Sequence, residues 1–295
     1  MASKTEGANR YYYRGDEVVY PYLSGTPSSE RLLAYLSDPE NFHVAQSKLA
    51  STVMLLREGE GENAVEPQVF MLHRVSSMAF AADAYVFPGG AVDTSDGDES
   101  MPWAGPSAAQ WAARLQVDER TAISVVVAAA RELYEECGVL LASSDDGAVG
   151  VVPDERMHRE REALSSHRTS LAEVLRERDM VLRTDLLSAR ARWITPVAEP
   201  HRYDTFFFAA VLPMGVQADG RTSEASESRW ITPSRILQQF DNDETLLLPP
   251  TIFNLQKLQA ARSISSFLSN RPDMGAVLCR SDIIDGQAVA ICPKA

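Results

Sequence analysis

Three glutamates in the stretch Arg131-Glu132-Leu133-Tyr134-Glu135-Glu136-Cys137-Gly138-Val139 are the side chains whose spacing best suits chemistry. On a helix, Glu132 stands three residues from Glu135 and four from Glu136, so the carboxylates project toward one side. Val126, Ala130, Leu133 and Cys137 fall on another side and form an apolar stripe that can bury against a sheet. Like charges at such spacings weaken an isolated helix by about 0.2–0.5 kcal/mol per pair, so something must offset them. A hard cation such as Mg²⁺ takes oxygen ligands and commonly bridges carboxylates to substrate phosphates. Arg131 is spaced to pair with Glu135. Taken alone, the stretch equally fits an ordinary amphipathic helix with solvated glutamates.

Upstream, Phe87-Pro88-Gly89-Gly90 closes an apolar run with two glycines, which permit positive φ and let backbone amides approach an anion closely. The elements that must hold this turn beside the acidic face are readable in outline. ASTVMLLRE and PQVFMLHRV read as two strands joined by the Gly- and Glu-containing GEGENAVE. VDTSDGDESMPWAGPSAAQ is acidic, punctuated by Gly and Pro, and reads as a surface insertion. A long helix is expected from Asp118 to Cys137, with Gly138 as its stop. ERMHREREALSSHRTSLAEVLRERD reads as a charged helical segment, and DTFFFAAVLP as a buried strand. Pro233 and the pair Pro249-Pro250 start further helices, the second over 252–268, and GAVLCRSDIIDGQAVAICP closes the chain as a hairpin. Residues 1–47 form an N-terminal arm with a short helix at Ser29–Leu36. Residues 48–295 form the main domain, with insertions near 97–120 and 153–190.

The 295 residues carry a formal net charge of −13, which argues against a broad nucleic-acid-binding surface, because such surfaces gather excess Lys and Arg. An acidic protein can still bind a polyphosphate when metal ions supply the positive charge locally. Cys137, Cys279 and Cys292 are widely separated with no CxxC pair, so no disulfide framework and a reducing, cytoplasmic compartment are expected. No run reaches the roughly 18 apolar residues of a membrane span.

PGG followed by REL-x-EE-x-G-V resembles the Nudix box, G-x5-E-x7-R-E-U-x-E-E-x-G-U, where U is aliphatic. Gly90 matches its first glycine, Arg131 its arginine, and Glu132, Glu135 and Glu136 its metal-binding glutamates. Gly138 and Val139 complete the match. Asp96 stands where the box has its earlier glutamate, and 34 residues separate Asp96 from Arg131 where the family pattern has seven. An insertion of that size is tolerable in a surface loop, since closure entropy rises only logarithmically with length. The split box, with VFPGG before it and WITP, RYDTFFFAA and RWITP after it, resembles the branch that includes animal peroxisomal acyl-CoA diphosphatases and bacterial relatives. The likeness runs from about Ala50 to Leu258.

The resemblance implies an α/β fold, a Nudix-type α/β/α sandwich with a central mixed sheet and helical insertions. It implies Mg²⁺ or Mn²⁺ held by Glu132, Glu135 and Glu136, and hydrolysis of a diphosphate bond in a nucleoside-diphosphate-linked small molecule, CoA or acyl-CoA favoured. The alternatives are an ADP-sugar, NADH or a dinucleoside polyphosphate as substrate, or a catalytically silent nucleotide-binding module. Superfamily members often add an acidic base or ligand about six residues before a later Trp, which selects Glu224 before Trp230, with Glu227 as second candidate. Glu135, Glu136 and Glu224 are therefore the expected catalytic groups. Gly89, Gly90, Arg74 and Arg202 are expected to bind substrate, and Arg131, Asp96 and Asp204 to orient the site, an Arg202–Asp204 pair being the competing role for those two. The expected partner is that substrate, with no nucleic acid and no membrane; a homodimer is one assembly the arm and insertions allow.

Overall fold

The computed structural model describes residues 11–295 except 23, 60–65, 77–80, 146, 152 and 223. The first ten residues of the arm and most of the GEGENAVE connection therefore lie outside the described residues. The chain divides into two compact units, one of Lys48–Trp193 and Tyr203–Ala276, the other of Met1–Ser47, Ile194–Arg202 and Val277–Ala295.

The larger unit is built on strands β1 (Lys48–Arg57), β2 (Gln68–Arg74), β3 (Tyr85–Val86), β4 (Gly89–Ala91), β5 (Ser188–Ile194), β6 (Tyr203–Val211) and β7 (Ala225–Ile231). They run in the order β7-β2-β1-β6-β5, with β3 paired to β2 and β4 to β1. β1 and β6 are parallel, from Tyr203 opposite Lys48 to Val211 opposite Leu56, whereas β7–β2 and β2–β1 are antiparallel, so the sheet is mixed. The two parallel strands are covered on both faces, which explains their unbroken apolar runs Val53–Leu56 and Phe206–Ala210.

Accompanying this sheet are α1 (Ala108–Leu115), α2 (Glu119–Cys137), α3 (Glu155–Ser165), α4 (Leu171–Glu177), α5 (Pro233–Asp241) and α6 (Pro249–Ala261). α2 begins where the Asp118 carboxylate accepts from Thr121 N–H at 2.9 Å, and stops at Gly138, whose φ of 68° is a left-handed cap. Val126, Leu133 and Cys137 face the sheet as expected, together with Val125 and Ala129. Ala130 does not: with Val127 and Tyr134 it packs on the opposite side, against Met157 and Leu164 of α3 and Leu171 and Leu175 of α4. The inserted helices therefore cover a second face of α2.

Three boundaries differ from expectation for local reasons. The segment near 97–120 is more than a surface excursion, because Ser107 and Gln110 form a capping box and α1 then buries Trp111 and Leu115, spaced four apart. The charged stretch after Asp154 breaks into two helices at His167, whose φ is 53°, and Ser170 caps the second. The helix expected over 252–268 ends at Ala261, since Arg262 is left-handed with φ 61° and Ser263 caps a short helix Ile264–Ser269. No helix among the described residues is long and apolar enough to cross a membrane.

The smaller unit holds a helix at Pro27–Ser37 and an antiparallel sheet in the order Tyr12–Arg14, Glu17–Pro21, Gln287–Pro293, Arg280–Ile284. Cys279 and Cys292 are bonded, which corrects the expectation of three free thiols. The pairing of Arg280 with Ile291 places these cysteines directly opposite each other, Cα to Cα 4.5 Å, a closeness that sequence separation alone does not reveal. Cys137 is free and buried.

Candidate active site

The glycine turn is fastened to β1 before it meets α2. Gly89 and Gly90 pair with Thr52 and Ser51, Val53 N–H donates to Pro88 O at 2.8 Å, and Thr52 Oγ1 donates to the same oxygen at 2.7 Å. Ser51 Oγ donates in turn to Val125 O of α2 at 2.6 Å, tying strand to helix. A Cβ on Gly90 would lie 2.5 Å from Glu132 Oε1, and one on Gly89 would strike Ser51 O at 2.4 Å. Gly89 is thus required by close approach of backbone, whereas a side chain at Gly90 would displace the Glu132 carboxylate. Gly89 N–H donates to Glu136 Oε2 at 2.7 Å, so the amide expected to meet a phosphate here serves the helix carboxylate.

Arg131 organises the acidic face. Its Nε and Nη2 grip both oxygens of Asp96 at 2.8 and 2.9 Å, Nη2 also donates to Ala91 O, and Nη1 donates to Glu132 Oε1 at 2.8 Å and Glu135 Oε1 at 2.9 Å. Asp96 reaches Arg131 across the long insertion because it sits in the 3₁₀ turn Thr94–Gly97, where Asp93 N–H donates to its second oxygen and the turn presents the short side chain to the guanidinium. The bidentate geometry makes Asp96 a partner of Arg131.

Burial dominates the electrostatics. It pushes Glu132 up to about 7, against the pull of Arg131 and with a further push from Glu135. Burial also raises Glu135 and Asp96, in both cases against Arg131. Glu136 is raised well above its ordinary value, by burial and then by Glu132 and Glu224, with the Gly89 amide and Arg74 acting the other way. Glu132 and Glu136 are thus neighbouring carboxylates held out of water with too little positive charge.

Among the described residues, no three His, Cys, Asp or Glu side chains converge as they stand to hold one metal ion. The donor set nevertheless fits a divalent cation. Mg²⁺ is commonly held by one or two carboxylates plus substrate phosphates, and Glu132 and Glu136 are two buried oxygen donors with excess negative charge.

Glu224 and Glu227 are three residues apart and have different surroundings. Glu224, half exposed, accepts from Arg74 Nη2 at 3.4 Å and is close enough to raise Glu136. Its backbone is fixed to β2 through Val75 N–H to Glu224 O at 3.0 Å. Beyond a bulge between Ala225 and Glu227, Glu227 pairs with His73, on the sheet face opposite Leu72 and the α2 core. There it accepts from Tyr85 Oη at 2.9 Å; burial first and this bond second push the phenol up to about 12, while the Arg229 guanidinium lies 4.3 Å from the Tyr85 ring.

The Arg74 Nε is buried without a hydrogen-bond partner among the described residues, beside the pair formed with Glu224. Arg202 belongs to the smaller unit, where Nε donates to Thr195 O at 3.1 Å and Nη1 to Ala45 O at 2.8 Å. The Arg202–Asp204 pair is not formed. Asp204 is gripped on both oxygens by Arg192 of β5, at 2.8 and 2.6 Å, because Arg202 precedes the strand and turns to backbone carbonyls. Tyr134 is fully buried, and its hydroxyl donates to Glu160 of α3.

Sequence reasoning overlooked Arg161, which is buried and donates Nε to Glu135 O at 2.9 Å and Nη1 to Asp219 Oδ1 at 2.8 Å. A signal was present: Met157, Arg161 and Leu164 lie at i, i+4 and i+7, so the arginine shares the apolar stripe of α3 and needs partners.

Comparisons with known proteins agree with this architecture. The family model for the NUDT19 Nudix domain matches residues 109–258. An acyl-coenzyme A diphosphatase NUDT19 from Xenopus laevis is 23% identical over 251 residues, covering 71% of this chain and 65% of that protein. A putative nudix hydrolase 7 from Caenorhabditis elegans is 27% identical over 198 residues, covering 66% and 57%. The chain thus spans somewhat less than two thirds of these two relatives. A crystal structure of a NUDIX hydrolase from Alicyclobacillus acidocaldarius superposes with a TM-score of 0.64 at 24% identity, covering 77% of this chain and 98% of that one, and shares the fold. With its split box closed by Asp96 and Arg131 and the family model matching half of its length, the chain belongs to the NUDT19-type family of Nudix hydrolases.

Proposed function

We propose that this protein is a divalent-metal-dependent diphosphatase that cleaves a nucleoside-diphosphate-linked small molecule, with CoA or an acyl-CoA as the favoured substrate. The observation that carries the reading is the buried, undercompensated pair Glu132 and Glu136 against Gly89 and Gly90. In this reading Glu132, Glu135 and Glu136 hold Mg²⁺ or Mn²⁺, which when bound neutralises the diphosphate and lowers the pKa of a water. Arg131 keeps Glu132 and Glu135 in place and is itself oriented by Asp96. Glu224 takes the proton of the attacking water, and Arg74, paired with Glu224 and with its buried Nε–H unpartnered among the described residues, contacts a phosphate oxygen. Arg202 is not part of this set, since its guanidinium is committed to carbonyls.

The frog relative's name supplies the preference for acyl-CoA. A cytoplasmic location belongs to the same reading, and the Cys279–Cys292 bridge weighs against it, because disulfides are rare in the cytosol. The test is a panel of CoA, acyl-CoAs, NADH, ADP-ribose and diadenosine polyphosphates, assayed for product with Mg²⁺, Mn²⁺ or EDTA. Metal-dependent cleavage of CoA compounds above the others is expected. Calorimetric binding of a nucleotide without product would instead identify a silent module.

A further inference from the structure

The C-terminal end of α2 is held by groups that the box pattern does not include. Glu135 O belongs to the last turn of α2, whose carbonyls lack intrahelical donors. Arg161 Nε from α3 supplies one at 2.9 Å. The same guanidinium donates Nη1 to Asp219 Oδ1 at 2.8 Å and Nη2 to Arg221 O at 3.2 Å, both in the connection from β6 to β7. Asp219 N–H closes the ring by donating to Cys137 O at 3.0 Å, and Arg221 N–H donates back to Asp219 Oδ1 at 3.1 Å. Gly138 makes room for this clamp as well as capping the helix, since a Cβ there would meet Arg161 Nη1 at 3.2 Å and Met157 Cε at 3.3 Å. Three residues after Arg221 comes Glu224, anchored on its other side to Val75 of the chain leaving β2.

We propose that Arg161 is a positioning residue: it locks the Asp219–Glu224 segment onto the end of the glutamate helix and so sets where the Glu224 carboxylate stands relative to Glu136. The inference rests on the role given above to Glu224. It also gives the inserted helix α3 a task in the reaction beyond covering α2. Arg161 touches no reacting atom; it acts through a main-chain oxygen and a loop carboxylate. A planar guanidinium can serve these three acceptors together, whereas the single ammonium of lysine cannot reproduce the fork.

The test uses the full chain and the variants Arg161→Gln, Arg161→Lys and Asp219→Asn, with Asp219→Asn standing in should the arginine variants fail to fold. Kinetics on the best panel substrate are expected to show kcat lowered about 10- to 100-fold in Arg161→Gln with KM little changed, and Arg161→Lys in between. In the Glu224→Gln background the same change should cost almost nothing further, because both act on one group. Hydrogen exchange, read independently of turnover, should accelerate at residues 219–224 while α2 keeps its protection. A full additional loss in the Glu224→Gln background overturns the proposal, as does unchanged exchange in the loop. A general loss of protection throughout α2 marks an arginine that merely stabilises the helix and overturns it too. If wild-type protein cleaves nothing on the panel, the diphosphatase reading fails, while the exchange result still decides whether Arg161 is the clamp.

Discussion

Glu136 of α2 and Glu160 of α3 are both buried, with 6% and 8% of their surface exposed, yet the protein treats their charges in opposite ways. Glu160 accepts from Tyr134 Oη, Arg156 Nε at 2.7 Å and Arg178 Nε at 2.8 and 3.0 Å, so two arginines and a phenol close around it. Glu136 has one backbone amide at 2.7 Å and acidic neighbours. Buried charges are ordinarily paired, because desolvation costs more than an unpaired charge can recover. On the function proposed above, a fold that satisfies one buried glutamate with two arginines while leaving another short of cations keeps the second for a ligand of opposite charge. Carboxylates perturbed by burial together with specific charged neighbours cluster at functional sites.

The sharpest way to break this contrast is to remove each charge in turn. Glu136→Gln is expected to lower metal-dependent turnover by about 10³-fold or more, the loss of a several-kcal/mol metal contribution, while the melting temperature holds or rises because a raised carboxylate has been neutralised. Glu160→Gln is expected to do the reverse, costing about 3 kcal/mol or more of stability by leaving Arg178 buried without its partner, with turnover per folded molecule retained. Thermal melts beside initial rates decide it. If both variants lose stability alike and neither loses activity selectively, the distinction collapses.

A smaller effect separates Glu224 from Glu227. Glu224→Gln should cost about 10²-fold in kcat, the scale of a general base, whereas Glu227→Gln should stay within about threefold, since its carboxylate is tied to Tyr85 on the other sheet face. Equal losses would mean that the bulge at Ala225–Glu227 does not divide the two roles.

What the sequence made legible follows the range of the interactions. The α2 boundaries were readable because Asp118 and Gly138 cap locally, and β1 and β6 because both lie in unbroken apolar runs. The acidic face was readable because Glu132, Glu135 and Glu136 share a helix. Pairings across long separations were not: Asp96 with Arg131, Asp204 with Arg192, Arg161 with Asp219 and Cys279 with Cys292 each depend on register or on where an insertion docks. Position 96 illustrates the limit, since a shortened side chain in a split motif reads as a defect until the 3₁₀ turn is seen to carry it to the guanidinium. The side of Ala130 was misjudged because helical period alone does not tell which flank a later insertion will cover.

The smallest expected effect concerns pH, and it turns on the sign of a linkage. Glu132 rises to about 7 and Glu136, Glu135 and Asp96 shift the same way, against ordinary carboxylate values near 4. Between those limits the folded metal-free protein holds more protons than the unfolded chain, so the free energy of unfolding decreases as pH rises. Asp93 shifts downward, and what it contributes is lost only below the ordinary carboxylate range, outside this window. In EDTA the melting temperature is therefore expected to fall by a few degrees from about pH 5 to about pH 8. Saturating Mg²⁺ should reduce that fall, because only the deprotonated carboxylates bind it and its affinity increases over the same interval. Glu132→Gln should flatten the EDTA profile. A metal-free melting temperature that climbs with pH would instead show that the acidic face is already compensated within the protein, and the contrast with Glu160 would lose its physical basis.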